Sequence, residues 1–195
     1  MKSKLGLVLA STSPYRRALL QRLGIEFTVV DPETSEERRP GEDPQALAGR
    51  LAEAKARAVA DRFPNSLVIG SDQVAVCGGE VLDKPLTHPN AVRQLRTLSE
   101  REAVFYTAVC VHDTRDGRTR VKVVPCRVRF RRLDDATIER YLQKEKPYDC
   151  AGSAKSEGLG IALISKIESE DPSALVGLPL IALVDLLREQ GLNVL

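Results

Sequence analysis

The residues of this chain best suited to chemistry are a serine-rich helix start, a carboxylate that follows an apolar run, and a lysine beyond a glycine turn. Ser11-Thr12-Ser13-Pro14-Tyr15-Arg16-Arg17 lies between the apolar run Leu5 to Ala10 and an amphipathic stretch. Small hydroxyl residues there leave backbone N–H groups open to an anion, and the helix dipole adds to the attraction. Arg16 stands one turn inside, where its forked donors can reach a phosphate oxygen; a capped surface helix with solvated arginines has the same spacing. Asp72 follows the apolar run Leu67 to Gly70, and Lys84 follows a hairpin signal. A carboxylate so placed can hold a metal ion or take a proton from water, and the bland alternative is an Asp–Lys surface pair. Glu36 and Glu37 sit in a polar, acidic stretch where solvation is the simple alternative. Gly152-Ser153-Ala154-Lys155-Ser156-Glu157-Gly158-Leu159-Gly160 fits neither a P-loop nor the dinucleotide G-x-G-x-x-G. It can serve as a loop that lets a base or sugar approach the backbone, or simply as structural turns.

Other chemistries are disfavoured. Only His88 and His112 are present, and His88 lies in a Thr-His-Pro helix start, so a histidine-centred triad is not expected. Cys77, Cys110, Cys126 and Cys150 form no C-x-x-C pair and no cluster with histidine, which reads as reduced, mostly buried thiols. With 29 Lys and Arg against 27 Asp and Glu, the formal net charge of +2 gives no global field for nucleic acid. The arginines Arg127, Arg129, Arg131 and Arg132 therefore read as a solvated strand face. Met1 to Ala10 lacks a signal-peptide pattern and no apolar run reaches a membrane span, so a cytoplasmic protein without membrane partners is expected.

These side chains need a scaffold, and the hydrophobic pattern supplies one. Leu5–Ala10 reads as a strand, followed by a helix with Ser13 as N-cap, Pro14 in the first turn and Gly24 as the stop. Glu26 to Val30 reads as a second strand, Asp31 to Asp43 as a long loop, and Asp43-Pro44 as the start of a helix reaching about Arg62. On that helix Leu47, Leu51, Ala54 and Ala58 mark one side and Lys55 a different face. Leu67–Gly70 reads as a buried strand that would place Ser71-Asp72-Gln73 at its C-terminal end, where open α/β sheets bind ligands. Val74–Val76, Gly78-Gly79 and Val81-Leu82 read as a hairpin. A helix over about Thr87–Leu98, strands over Val104–His112 and Thr119–Phe130, a helix capped by Asp134, a strand over Ile161–Ile167 and an apolar C-terminal helix complete the pattern. The class is α/β, mixed α+β, with a central mixed sheet flanked by helices; a length of 195 residues with 43% hydrophobic content suits one folding unit over 1–195.

Taken in order, Ala10-Ser11-Thr12-Ser13-Pro14-Tyr15-Arg16-Arg17, Gly70-Ser71-Asp72-Gln73-Val74, Lys84-Pro85, Ala151-Gly152-Ser153 with Ser156-Glu157-Gly158, and Val176-Gly177-Leu178-Pro179-Leu180 resemble the Maf family of nucleoside triphosphate pyrophosphatases. The resemblance spans nearly the whole chain. It implies an elongated two-lobed fold of the Maf and inosine triphosphatase kind, a nucleoside triphosphate substrate, a divalent cation (Mg²⁺ or Mn²⁺), and often a homodimer. It implies that Ser11, Ser13 and Arg16 bind the triphosphate, that Lys55 and Lys84 neutralise phosphate charge, that Asp72 accepts a proton, and that Glu36 with Asp72 holds the metal, Glu37 remaining an alternative to Glu36. Tyr15, Gln73 and Glu157 depart from the commonest family pattern and look like the branch that prefers 7-methyl-GTP. A cationic methylated guanine suits an aromatic face and a carboxylate acceptor. A dTTP or UTP pyrophosphatase, or a nucleotide-binding regulator of cell division, are the alternatives. Asp83 stands where the family usually has glycine, which bears on the placing of Lys84.

Overall fold

In the computed structural model, residues 5–195 are described; part of the Met1–Ala10 leader reading lies outside them. The chain has a mixed α/β fold whose elements are β1 (Gly6–Ala10), α1 (Pro14–Gln21), β2 (Thr28–Val30), α2 (Pro44–Ala58), β3 (Ser66–Cys77), β4 (Glu80–Leu82), α3 (His88–Leu98), β5 (Glu102–Asp113), β6 (Thr119–Phe130), α4 (Asp135–Glu145), β7 (Ile164–Glu168) and α5 (Leu180–Glu189). The sheet runs β2-β1-β3-β5-β6-β7, with β4 paired to β3. Among the described residues no helix is long and apolar enough to cross a membrane. All four cysteines are free thiols, three of them buried.

The chain divides into two compact units, one formed by the chain up to Asp72 with Thr107–Val124 and Asp171–Leu195, the other by Gln73–Tyr106 and Pro125–Glu170. In the first unit β1 pairs in parallel with β2 and with β3, the latter from Gly6 opposite Ser66 to Ala10 opposite Gly70. Strand order 2-1-3 sends the two connecting helices to opposite faces, because α1 leads from β1 outward and α2 returns across it. The sequence encodes both faces. Leu7, Leu9, Leu67 and Ile69 pack with Leu19 and Leu20 of α1 and Leu183 and Leu187 of α5. The alternate residues Val8 and Val68 are also buried and point the other way.

Helix α2 lies close to that second face because Gly70 has no side chain. A Cβ at Gly70 would collide with the Ala52 carbonyl and come within 2.8 Å of the Ala56 nitrogen. The buried stripe of α2 is Leu47, Ala48, Leu51, Ala52, Lys55 and Ala56. Lys55 is thus on the buried face, not on a different one, and Ala58 is exposed. Spacings of three and four residues admit both stripes, and the contact at Gly70 selects the one that carries Lys55.

Strand β3 does not stop at Gly70. It continues through Ser71, Asp72 and Gln73 to Cys77, so Asp72 is mid-strand and not at a strand end. The strand that does end there is β1, whose last pair is Ala10 with Gly70. A topological switch point therefore lies outside the carboxyl end of β1, which is where ligands bind in open sheets of this order.

In the second unit Gly78 and Gly79, at φ 60° and 84°, make the left-handed turn between β3 and β4. Thr87 caps α3 and Asp134 caps α4 through their side chains. Strand β6 alternates buried Val124, Cys126, Val128 and Phe130 with exposed partners, and Arg127 and Arg129 lie 3.3 and 3.6 Å from Glu102. Arg127 and Arg129 thus form the solvated strand face expected of them, while Arg131 and Arg132, also exposed, follow the strand. Residues 161–163 belong to a 3₁₀ turn (Leu159–Leu163), and β7 begins only at Ile164. A side chain at Gly160 would strike the Lys155 backbone, so the chain must complete this turn before extending.

Candidate functional site

Ser13 caps α1, its hydroxyl accepting from the Arg16 amide at 3.4 Å, with Pro14 pre-set for the first turn. Ser11, almost fully buried, accepts from the Ser13 amide at 3.2 Å. Arg16 lies half-buried above this turn, donating from Nε to the Gly177 carbonyl (2.9 Å) and from Nη1 to Ser11 Oγ (3.5 Å). Burial lowers its pKa, and the carboxylates of Asp72 and Glu36 oppose that shift by favouring the charged form.

From the opposite face of the sheet Lys55 rises along α2 to meet Asp72. Its Nζ lies 2.6 Å from Asp72 Oδ1 and 2.5 Å from Glu36 Oε1. The side chains of Lys55 and Asp72 are 7% and 10% exposed and Glu36 is 56% exposed, so the pair is buried while the third member faces solvent. Glu36, not Glu37, supplies the carboxylate on Lys55. The loop is tied down by Arg50, which donates to the Glu37 carbonyl (3.0 Å) and holds Glu42 with Nε at 2.5 Å and Nη2 at 2.7 Å.

Ser11, Ser13, Arg16, Glu36, Lys55 and Asp72 thus belong to one unit and gather at the end of β1. Tyr15 belongs to the same unit and is half-buried on α1. The cluster combines fixed cations, a helix N-terminus and two carboxylates that share one ammonium. Those carboxylates are hard oxygen donors able to approach a common cation, and the donor set suits Mg²⁺ or Mn²⁺. Among the described residues no group of three or more His, Cys, Asp and Glu is assembled as a metal cage. A cation held by two carboxylates must complete its shell with water and phosphate oxygens, the habit of Mg²⁺.

Gln73, Lys84 and Glu157 fall in the second unit. Gln73 is half-buried; Lys84 and Glu157 are exposed. Lys84 follows β4 in a segment pinned on both sides: Gln94 donates to the Asp83 carbonyl (2.7 Å) and Asn90 to the Pro85 carbonyl (2.9 Å). Gln94 also accepts from Ser153 Oγ at 2.6 Å, tying that segment to the glycine loop. The loop is itself built on α4. Tyr141 donates to the Ser153 carbonyl and accepts from the Lys155 amide, while Glu145 receives the Leu159 amide (2.7 Å) and Lys155 Nζ (3.1 Å).

Sequence reasoning missed Ser71, Gly177, Arg50 and Gln94. Ser71 and Gly177 stood inside the quoted motifs without a role, and their pairing joins positions 106 residues apart, which no local signal reveals.

A family model described as Maf-like protein matches residues 6–190. A relative from Methylobacillus flagellatus, named 7-methyl-GTP pyrophosphatase, is 56% identical over 97% of this chain and 98% of its own length. Another of the same name, from Nitrosospira multiformis, is 55% identical over 96% of this chain and 95% of its own. Among solved structures, a HAM1 protein from Coxiella burnetii is 16% identical and covers 67% of this chain and 75% of its own, with a TM-score of 0.46. Sharing more than half its residues with these relatives over nearly its full length, the chain belongs to the Maf family.

Proposed function

We propose that this chain hydrolyses a nucleoside triphosphate to the monophosphate and pyrophosphate, with 7-methyl-GTP as preferred substrate, and that residues 1–195 act as one catalytic domain. The observation that carries the proposal is the meeting of Asp72, Lys55 and Glu36 beside Arg16 at the end of β1. The names of the relatives support the choice of substrate.

The roles follow from the chemistry of the groups. Ser11, Ser13 and the first turn of α1 receive phosphate oxygens, with Arg16 as the forked donor. The oxygen of a water molecule attacks the α-phosphorus, its bond to the bridging oxygen breaks, and pyrophosphate leaves. The proton released by the water passes to the Asp72 carboxylate. Lys55 holds that carboxylate in place and adds positive charge where the transition state spreads negative charge over the phosphoryl oxygens. Glu36 and Asp72 would hold the divalent cation, which when bound supplies further neutralisation of the phosphates. For Lys84 the role is the one the family resemblance implies, neutralising phosphate charge, and for Tyr15, Gln73 and Glu157 it is selection of the base.

The test is pyrophosphate release from methylated, ordinary and deaminated nucleoside triphosphates with Mg²⁺ or Mn²⁺. Release from 7-methyl-GTP that is lost in Asp72→Asn is the expected result. Preference for dTTP or UTP would overturn the substrate and leave the reaction. Binding without cleavage of any triphosphate would leave a nucleotide-binding regulator.

A further inference from the structure

The carbonyl oxygen of Gly177 accepts two hydrogen bonds, from Arg16 Nε at 2.9 Å and from Ser71 Oγ at 3.0 Å. A carbonyl has two lone pairs, so these two donors satisfy it. Ser71 is fully buried and cannot touch a substrate. We infer that Ser71 is a positioning residue that acts through the Gly177 carbonyl to set the Arg16 guanidinium for the triphosphate; the inference rests on the phosphate-binding role proposed for Arg16.

Geometry makes the carbonyl a fixed point. Gly177 has φ 125°, a conformation reserved in practice for glycine, and a Cβ there would lie 3.7 Å from Arg16 Nε. The loop that holds it is braced from within its own unit. Buried Asp171 accepts from the Ser173 amide (3.0 Å) and hydroxyl (2.5 Å) and from the Ile181 amide (2.7 Å), and Thr107 donates to the Ala174 carbonyl (2.9 Å). Ser173 Oγ in turn accepts from the Leu180 amide at 2.7 Å.

Ser71 joins this bracket to β3 one residue before Asp72. The strand period of two sends Asp72 toward α2 and Lys55, while Ser71 points toward α1 and the Gly177 loop. The same two residues of backbone therefore fix the carboxylate on one face and, through one carbonyl, the guanidinium on the other. Using Nε on Gly177 commits one edge of the guanidinium and aims its terminal nitrogens. An arginine so held loses less conformational entropy when an anion arrives than one that is free to rotate.

The experiment is a double-mutant cycle on the binding of inorganic tripolyphosphate, read by titration calorimetry in the presence of Mg²⁺. Ser71→Ala is expected to weaken binding about tenfold, the loss typical of a buried hydrogen bond that orients a charged group. Arg16→Lys lacks the Nε–H, so in that background Ser71→Ala should cost less than about twofold. Ser71→Thr keeps the hydroxyl and should bind within about threefold of the wild type if the extra methyl is accommodated. Ser71→Cys, a near-isostere with a weaker donor, replaces Ser71→Ala if the latter melts well below the wild type. Equal losses in the wild-type and Arg16→Lys backgrounds, or a threonine variant as weak as the alanine one while both melt like the wild type, would overturn the inference. A coupled cycle in a protein that cleaves no triphosphate would retain Arg16 positioning and reject hydrolysis. Cleavage with an additive cycle would do the reverse, and a wild type that does not bind tripolyphosphate would overturn both.

Discussion

The end of β1 and the glycine loop on α4 treat polar groups in opposite ways. At β1 the charges are turned on one another: Lys55 holds two carboxylates, and Arg16 feels both of them. In the glycine loop the polar groups are consumed by hydrogen bonds to α3 and α4 that fix the loop. Ser153 goes to Gln94, the Lys155 amide to Tyr141 and the Leu159 amide to Glu145, while Glu157 is left exposed. The first arrangement concentrates electrostatic potential, which transition-state stabilisation needs. The second spends its hydrogen bonds on a fixed backbone shape, which the base-selecting role proposed for Glu157 would need. Changes at the Asp72–Lys55 pair should therefore act on kcat, and changes in the loop on KM and the ratio between substrates.

The largest effect should come from Asp72→Asn, which removes the proposed proton acceptor and nearly preserves volume. A fall in kcat of roughly 10³-fold is expected, within the range for loss of a general base, with folding intact by circular dichroism; a loss below tenfold would show that Asp72 is not the acceptor. Lys55→Met comes next, because it removes the ammonium that two carboxylates share. Rate should drop about a hundredfold, and stability at neutral pH by about 2–4 kcal/mol, since a buried carboxylate loses its partner. Urea melts that match the wild type would mean that Lys55 is not needed to compensate Asp72.

The contrast is only partly legible in the sequence. Ser13 as cap, Pro14 in the first turn and Gly24 at φ 67° are local signals; α1 begins where they say, and it ends at Gln21 in a turn that closes on Gly24. The same holds for Gly78-Gly79, where two positive φ angles follow from two adjacent glycines. Periodicity alone puts Lys55 on the wrong face, because its burial depends on a partner, Asp72, that is 17 residues away and on the absence of a side chain at Gly70. Asp72 looks like the end of a strand because a serine and a carboxylate after an apolar run resemble a terminus. β3 continues instead, with Ala75, Val76 and Cys77 paired to β4, and Asp72 is tolerated in mid-strand by its pairing with Lys55. Contacts such as Ser71 with Gly177 and Gln94 with Ser153 are tertiary and have no local signature.

In the glycine loop the matching change is Glu145→Ala. The carboxylate anchors the Leu159 amide and Lys155, and a Cβ on Gly158 would lie 2.7 Å from its oxygens, so the loop is moulded around it. KM for the preferred triphosphate should rise about five- to tenfold, the cost of about one hydrogen bond to a charged group, while kcat stays within about twofold. Faster amide exchange confined to residues 155–160 would support the idea that the loop supplies shape; an equal fall in kcat with KM unchanged would contradict it.

The smallest effect lies in the clamp that brings Glu36 to the β1 end. Arg50 holds Glu42 and the Glu37 carbonyl, and hydrogen bonds from Arg50 are the main cause that draws the Glu42 carboxyl from its ordinary value of 4.5 down to about 2. A depressed carboxyl contributes stability that is fully present above its unfolded pKa and is lost as pH falls through the folded one. The clamp therefore begins to weaken below about pH 4.5 and is lost near pH 2, so the acid limb of activity at milder pH must come from other groups. Arg50→Ala should return the Glu42 midpoint, followed by its carboxyl carbon resonance, close to 4.5. The same variant should weaken Mn²⁺ binding only about two- to threefold, because Lys55 still holds Glu36 when Arg50 is gone and Arg50 reaches the loop only through Glu42 and one carbonyl. A Glu42 midpoint that stays near 2 in Arg50→Ala would remove Arg50 as the cause and leave the position of the Glu36 loop to Lys55 alone.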